Sequence, residues 1–454
     1  MSAPDRRDLR SLVKAYDIRG VVPDELDEDL THDFGAAFAA LVDAPAVVIG
    51  RDMRESGHPL ARSFARGVNE QGTDVIDVGL ASTDMLYFAS GMLNAPGAMF
   101  TASHNPAKYN GIKLCRPGAA PVGQDTGLAQ LREWVENASY PKRAGEVGSI
   151  SERDLLSDYA DYLHKLVDLS GIRPLTVVVD AGNGMGGHTV PKVFDGLPIS
   201  LVPMYFELDG AFPNHEANPI EPANTRDLQA KVRAVGADAG LAFDGDADRC
   251  FVVDERGEVV SPSVLTALIA VRELARDPGS AVIYNLITSK AVPEIVREHG
   301  GTPIRSRVGH SFIKATMAES GAVFGGEHSG HFYFRDFWRA DSGMLAALHV
   351  FAALGEQDRP LSELLAEYSR YVASGEINST VADQGGKLAE IEAAYGHRDG
   401  VTIDHLDGVT VDGGDWWFNV RPSNTEPLLR LNVEAADATR LAEVRDEALG
   451  IIRG

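Results

Sequence analysis

Asp244, Asp246 and Asp248 stand at i, i+2 and i+4 in FDGDADR (243–249). On a tight glycine-containing loop, that spacing lets three carboxylates converge on one hard cation, for which Mg²⁺ is the natural candidate. An EF-hand is a competing reading, because Glu255 falls at the twelfth position. However, Arg249 occupies the sixth, where that turn needs glycine, and the flanks at 240–243 and 250–254 read as strands rather than helices. A solvated acidic turn is the bland alternative, and the arginine embedded in an apolar context argues against it.

Three more segments carry candidate groups. TASHNP (101–106) follows the apolar run 97–100 and precedes YNGIK (109–113), so Ser103 falls on a loop at a strand end, where α/β folds expose reactive groups. Alone, it reads better as a Ser/Asn/Pro turn. GGEHSGH (325–331) offers hydroxyl-binding groups on a flexible backbone; Glu327, Ser329 and His331 alternate and would share one face of an extended loop. A zinc site on Glu327, His328 and His331 is disfavoured by the glycines and by the lack of an H-E-x-x-H helix. RPSNTEP (421–427) joins a guanidinium, two hydroxyls, an amide and backbone N–H groups, as a phosphate cradle would, although a Pro-bounded turn has the same look. GNGMGG (182–187) fits a dinucleotide fingerprint, but Asp195 and Glu207 are poorly spaced for a ribose partner, so it reads as a structural strand-to-helix turn.

The elements that must position these groups follow from the wider pattern. Short β-rich runs at 46–50, 176–180 and 281–284 each lead into helix-like stretches, about one domain length apart, which suggests a repeated α/β unit. A chain of 454 residues accommodates three or four domains of roughly 100–200 residues. Breaks near 140–152, 254–262 and 369–380, with separate strand-like pieces at 401–403 and 416–420, give domains at 1–151, 152–254, 255–369 and 370–454, the last built differently. The net charge of −24, from 66 acidic and 42 basic residues, argues against nucleic acid or an acidic membrane surface as a partner. Two cysteines, no apolar signal region and no membrane-length apolar run predict a cytoplasmic protein.

Taken in order, TASHNP, DGDADR, GGEHSGH and RPSNTEP resemble the four signature loops of the α-D-phosphohexomutase family, and the resemblance runs from KAYDIRG (14–20) nearly to the C-terminus. It implies an α/β fold of four domains, three related α/β domains and a C-terminal α+β domain, around a central cleft. It also implies that Ser103 is a phosphoserine whose phosphoryl oxygens share Mg²⁺ with Asp244, Asp246 and Asp248. His104, Lys113 and Arg249 match the groups around the transferred phosphoryl. Tyr16 and Arg19 match an N-terminal pair facing the cleft, and His310 a substrate-side histidine. Glu327 and Ser329 match sugar-hydroxyl contacts in the loop that also carries His331, and Arg421, Ser423, Asn424 and Thr425 match the loop for the non-reacting phosphate.

The implied reaction interconverts hexose 6-phosphate and hexose 1-phosphate through a hexose 1,6-bisphosphate, in a monomer or homodimer, with His104 or Lys113 as proton acceptor. His328 stands where phosphoglucosamine mutases commonly have glutamine, so the loop is more similar to the phosphomannomutase/phosphoglucomutase branch, with mannose and glucose phosphates as substrates. Phosphoglucosamine mutase is the alternative within the family. Outside it are a serine phosphatase and a non-catalytic sugar-phosphate sensor switched by Ser103 phosphorylation. One departure stands out: relatives carry a lysine near a strand end of the third domain, whereas NLITS (285–289) has none before Lys290.

Overall fold

The structure is a computed structural model that describes residues 8–143, 145–423 and 427–454, with the side chains of 310 and 311 outside the described part. The described residues form two compact units, one within Met1–Val260 and Ser329–Ser362, the other within Ser261–His328 and Glu363–Gly454.

The repeat suggested by the sequence is present as a strand pattern. In the first unit, Ala46–Arg51 lies between the parallel strands Asp74–Leu80 and Gly97–Phe100, and Tyr109–Arg116 returns antiparallel to the latter. Leu175–Asp180 likewise lies between Ile199–Met204 and Ala239–Phe243, with Cys250–Asp254 returning antiparallel. In the second unit, Ala281–Asn285 lies between the parallel strands Thr302–Ser306 and Phe324–Gly326. These central strands are apolar runs buried on both faces, as parallel strands covered by helices must be. The C-terminal sheet is instead antiparallel, running Val372–Thr380, Leu428–Ala435, Trp416–Pro422, Val409–Asp412, Thr402–Asp404. Helices Gln384–Tyr395 and Ala438–Arg453 share its core through Ile391, Tyr395, Leu441 and Val444, which makes this domain α+β.

This topology sets the candidate loops at equivalent places. Residues 101–108 join Gly97–Phe100 to its antiparallel return, and residues 244–249 do the same after Ala239–Phe243. Residues 327–331 also follow the third strand of their pattern, Phe324–Gly326. All three leave the carboxyl end of a parallel strand, where α/β sheets place their ligands. Among the described residues, no helix is long and apolar enough to cross a membrane.

Two features hold the first unit tightly. Helices Glu28–Val42 and Gly57–Glu70 meet through glycines: a Cβ on Gly35 would run into the carbonyl oxygen of Phe64, and one on Gly67 into that of His32. Behind them Phe64 packs edge-on against Phe100 at 5.4 Å. The buried carboxylate of Asp84 accepts hydroxyl hydrogen bonds from Ser82, from Tyr159 at 2.6 Å and from Ser342 at 2.7 Å, tying three separate helices together. Burial pushes its pKa up to about 6, with the three hydroxyls pulling the other way.

Gly35→Ala should destabilise the protein by about 1–3 kcal/mol, since backbone rather than a yielding side chain opposes the added methyl; denaturant unfolding monitored by circular dichroism measures the loss. A second outcome concerns pH. Because the folded pKa of Asp84 lies above its unfolded value of 3.8, its contribution is fully present below that value and is lost as pH rises through about 6. The stability difference between wild type and Asp84→Asn should therefore shrink by up to about 3 kcal/mol between pH 4 and pH 7. A difference that stays flat over this range would contradict the assignment.

Candidate active site

Ser103 adopts a left-handed backbone, φ 49°, and its N–H donates to Thr101 Oγ1 at 2.9 Å. The hydroxyl donates to Asp244 Oδ2 at 2.7 Å, and His104 Nδ1 lies 3.3 Å from the same oxygen. In the aspartate loop Ala247 is also left-handed, φ 57°, and a Cβ on Gly245 would strike the Ser103 carbonyl oxygen, so glycine there lets the two loops meet. Asp244, Asp246 and Asp248 are buried, and one oxygen from each lies within 4.8 Å of the others.

Cations come from the neighbouring strand and from the loop itself. Lys113, on Tyr109–Arg116, donates to Asp246 Oδ2 at 2.7 Å and Asp248 Oδ2 at 2.6 Å. Arg249 Nε donates to Asp244 Oδ2 at 2.8 Å, and Thr83 Oγ1 to Asp246 Oδ2 at 2.6 Å. The remaining oxygens, Asp246 Oδ1 and Asp248 Oδ1, are buried without a hydrogen-bond partner, as is Arg249 Nη2. Buried carboxylate oxygens with no donor are costly unless a cation completes them, and an all-oxygen set suits a hard divalent ion.

The titration behaviour follows from this crowding. Burial pushes the Asp244 carboxyl up to about 7, with Arg249 opposing and the neighbouring aspartates reinforcing the shift. Burial acts on Asp246 in the same sense, but Lys113 and the hydroxyl of Thr83 outweigh it and hold that carboxyl well below its usual range. Burial also works against the charge on Lys113, yet Asp246 and Asp248 keep the ammonium well above its ordinary value. Burial, reinforced by Arg249 and Arg19, brings His104 down to about 2, so its imidazole is neutral at pH 7.

His331 belongs to this cluster: Nε2 lies 3.7 Å from Asp248 Oδ1, its backbone bridges to Arg249, and Ser329 Oγ is 2.8 Å from its Nδ1. Asp341 joins Asp248 and His331 in a second group with ligand atoms within 4.8 Å. Arg19 reaches the serine loop through Asn105 Oδ1 at 2.9 Å and pairs with Asp17, while Tyr16 is exposed.

In the second unit, Glu327 is buried and accepts from the Gly309 N–H at 3.1 Å and Asn285 Nδ2 at 3.4 Å. His328 Nδ1 lies 3.3 Å from Ser263 Oγ, and burial lowers its pKa. Arg421 pairs with Glu376 at 2.7 Å, and Arg430 donates to Ser423 Oγ at 3.4 Å. Asn424, Thr425 and the side chain of His310 lie outside the described residues. Lys290 is spent on Asp412, at 3.0 Å, and on the Gly414 carbonyl. Among the described residues, Glu327, His328 and His331 form no metal-holding group. In the 182–187 turn, a Cβ on Gly187 would meet the Phe206 carbonyl, a packing reason for glycine.

Several residues around the site escaped sequence reasoning. Thr83 and Asp341 carry no local motif. Arg54 does, in GRDMR at the carboxyl end of Ala46–Arg51, a position that should have drawn notice. Titrated with Mg²⁺ by calorimetry, Asp246→Asn should bind at least about tenfold more weakly than wild type, the loss typical of disturbing even an outer partner of a metal; equal affinities would remove the loop from cation binding.

Comparison with known proteins agrees with this arrangement. The phosphoglucomutase/phosphomannomutase family models match as alpha/beta/alpha domain I at 10–141, domain II at 157–257, domain III at 262–371 and the C-terminal domain at 376–451. The chain is 42% identical over 446 residues to phosphohexose mutases of Xanthomonas campestris pv. campestris, covering 97% of this chain and 99% of the relative. It is 37% identical over 445 residues to phosphomannomutase/phosphoglucomutase of Pseudomonas aeruginosa, covering 96% and 94%. A crystal structure of a phosphoglucomutase/phosphomannomutase family protein from Burkholderia thailandensis superposes with a TM-score of 0.89 at 34% identity, covering 98% of each chain. With all four domains matched in order around these loops, the chain belongs to the phosphoglucomutase/phosphomannomutase family.

Proposed function

We propose that this protein interconverts the 6-phosphates and 1-phosphates of mannose and glucose through phospho-Ser103 and a hexose 1,6-bisphosphate. The observation that carries the reading is the Ser103 hydroxyl, 2.7 Å from Asp244 in a buried loop of three aspartates flanked by Lys113, Arg249 and His104. The names of the relatives, phosphomannomutase in Escherichia coli and phosphomannomutase/phosphoglucomutase in Pseudomonas aeruginosa, support the choice of sugars. The two buried cysteines, Cys115 and Cys250, suit the reducing cytoplasm in which we place the enzyme.

In the forward half-reaction the bond from phosphorus to Ser103 Oγ breaks, a bond to the free sugar hydroxyl forms, and the hydroxyl proton passes to a base. The return step reverses this with the other phosphate. Asp244, Asp246, Asp248 and the Ser103 oxygen would hold Mg²⁺, which when bound supplies charge neutralisation at the transferred group. Arg249 contributes the buried Nη2, a donor for a phosphoryl oxygen. Lys113, kept as an ammonium by two aspartates, serves charge compensation, and either Lys113 or His104, whose Nδ1 lies 3.3 Å from Ser103 Oγ, takes the hydroxyl proton.

Glu327 and Ser329, with His331, would grip hydroxyls common to both sugars, and Arg421, Ser423, Asn424 and Thr425 the phosphate that does not react. Mannose and glucose differ at C2, so a site reading O3 and O4 accepts both and permits either orientation of the bisphosphate.

A coupled assay with Mg²⁺ and trace glucose 1,6-bisphosphate, offering mannose, glucose and glucosamine 1-phosphates in parallel, tests this. The first two should isomerise and Ser103→Ala should be inactive. Turnover of the glucosamine ester alone would reassign the branch. Phosphate release without isomer would indicate a phosphatase, and no reaction from protein phosphorylated on Ser103 would favour the sensor.

A further inference from the structure

The guanidinium of Arg54 is buried behind the serine loop, with its side chain 1% exposed. All five of its N–H donors are used. Nε donates to Asp52 Oδ2 at 3.2 Å. Nη1 donates to the carbonyls of Pro106 at 2.9 Å and Tyr109 at 3.0 Å. Nη2 donates to those of Ser103 at 2.8 Å and Asn105 at 2.6 Å. Asp52 is fully buried and also accepts the Arg54 N–H at 2.9 Å, fixing the base of the side chain.

Four carbonyls of one seven-residue stretch therefore converge on a single rigid fork. Only arginine has the donor number and planarity for this; lysine offers three donors from one point. The left-handed backbone of Ser103 is a conformation that persists only where its surroundings over-determine it, and the Arg54 bonds to the Ser103 and Asn105 carbonyls supply part of that constraint. The 103–104 peptide, with its carbonyl on Arg54, turns the His104 N–H to the opposite side.

We propose that Arg54 is a positioning residue for phosphoryl transfer, holding the Ser103 loop in one geometry whether or not the serine carries its phosphoryl group. The proposal rests on the mutase reading above. That reaction requires the same oxygen to be leaving group in one step and nucleophile in the next, while the charge on it changes by about two units. A loop held through the serine side chain would relax between the two states. Within the loop Arg54 holds only main-chain carbonyls, none of which takes part in the transfer, so its grip is indifferent to the state of Oγ.

The test is single-turnover phosphorylation of the full-length dephosphorylated protein by glucose 1,6-bisphosphate with Mg²⁺, quenched rapidly and read by intact mass. In this step a sugar phosphate ester bond to phosphorus breaks, a bond to Ser103 Oγ forms, and the serine proton ends on the sugar oxygen released. Arg54→Lys should lower the rate constant about 100-fold, as expected for a displacement near 1 Å. The amplitude should stay near wild type and the KM for hexose phosphate within about threefold, since ground-state binding is untouched.

A merely structural role would do the reverse, lowering the amplitude as fewer molecules are competent while leaving the rate constant unchanged; that result, or an unchanged rate at full amplitude, overturns the proposal. Should Arg54→Lys give no folded protein, Asp52→Asn carries the same test: it frees one edge of the guanidinium, and slower phosphorylation at full amplitude is expected, with an unchanged rate overturning the idea. Failure of wild type to take up a phosphoryl group would instead refute the mutase reading itself.

Discussion

Three carboxylates share one loop, out of water, against two cationic side chains. Asp244, Asp246 and Asp248 are bonded by Lys113 and Arg249, so once all three are ionised the buried carboxylates outnumber the cations bonded to them. Buried charge of this kind is costly unless paired and fully hydrogen-bonded, and two of the carboxylate oxygens lack a partner. Much of the surrounding structure meets that constraint. Lys113 sits on the strand that returns from the serine loop, Thr83 begins a helix aimed at Asp246, and Gly245 is bare so that the serine can approach. The raised pKa of Asp244 and the depressed one of Asp246 are two expressions of the same crowding.

The balance also explains why a serine belongs there. A neutral hydroxyl can donate to Asp244 without adding to the charge, while a phosphoserine brings about two further negative charges and makes a divalent ion close to obligatory. Each step of the proposed cycle shifts that balance, so the framework has to keep its shape while the charge inside it changes. Buried hydrogen bonds to main chain, such as those of Arg54, achieve this better than exposed ion pairs, which water and salt weaken.

Much of this was legible in the sequence because chemistry that needs several groups at once leaves short, dense motifs. The i, i+2, i+4 aspartates, the serine loop and the α/β pattern could be read directly, and the order of the four loops identified the family. What could not be read lies in residues whose partners are distant or are backbone. Arg54 binds carbonyls that any sequence would possess, Asp84 finds hydroxyls 75 and 258 positions away, and Asp341 meets Asp248 only through the fold. Spacing alone treats the Glu327 carboxylate as free, yet it accepts from the Gly309 N–H and from Asn285 Nδ2, partners that no local pattern announces. Lys290, the first lysine after NLITS, pairs with Asp412, more than a hundred residues along the chain.

The equivalent hairpins bear on how such a site arises. Residues 101–108 and 244–249 leave the same place in two copies of one strand pattern, and residues 327–331 follow the matching strand of a third. One topological position thus carries three different sets of groups: a serine hydroxyl, three carboxylates, and a loop of hydroxyl, imidazole and carboxyl groups. A strand pattern repeated along the chain thereby provides the same loop position at the end of a parallel strand each time, and each loop holds groups that the others lack.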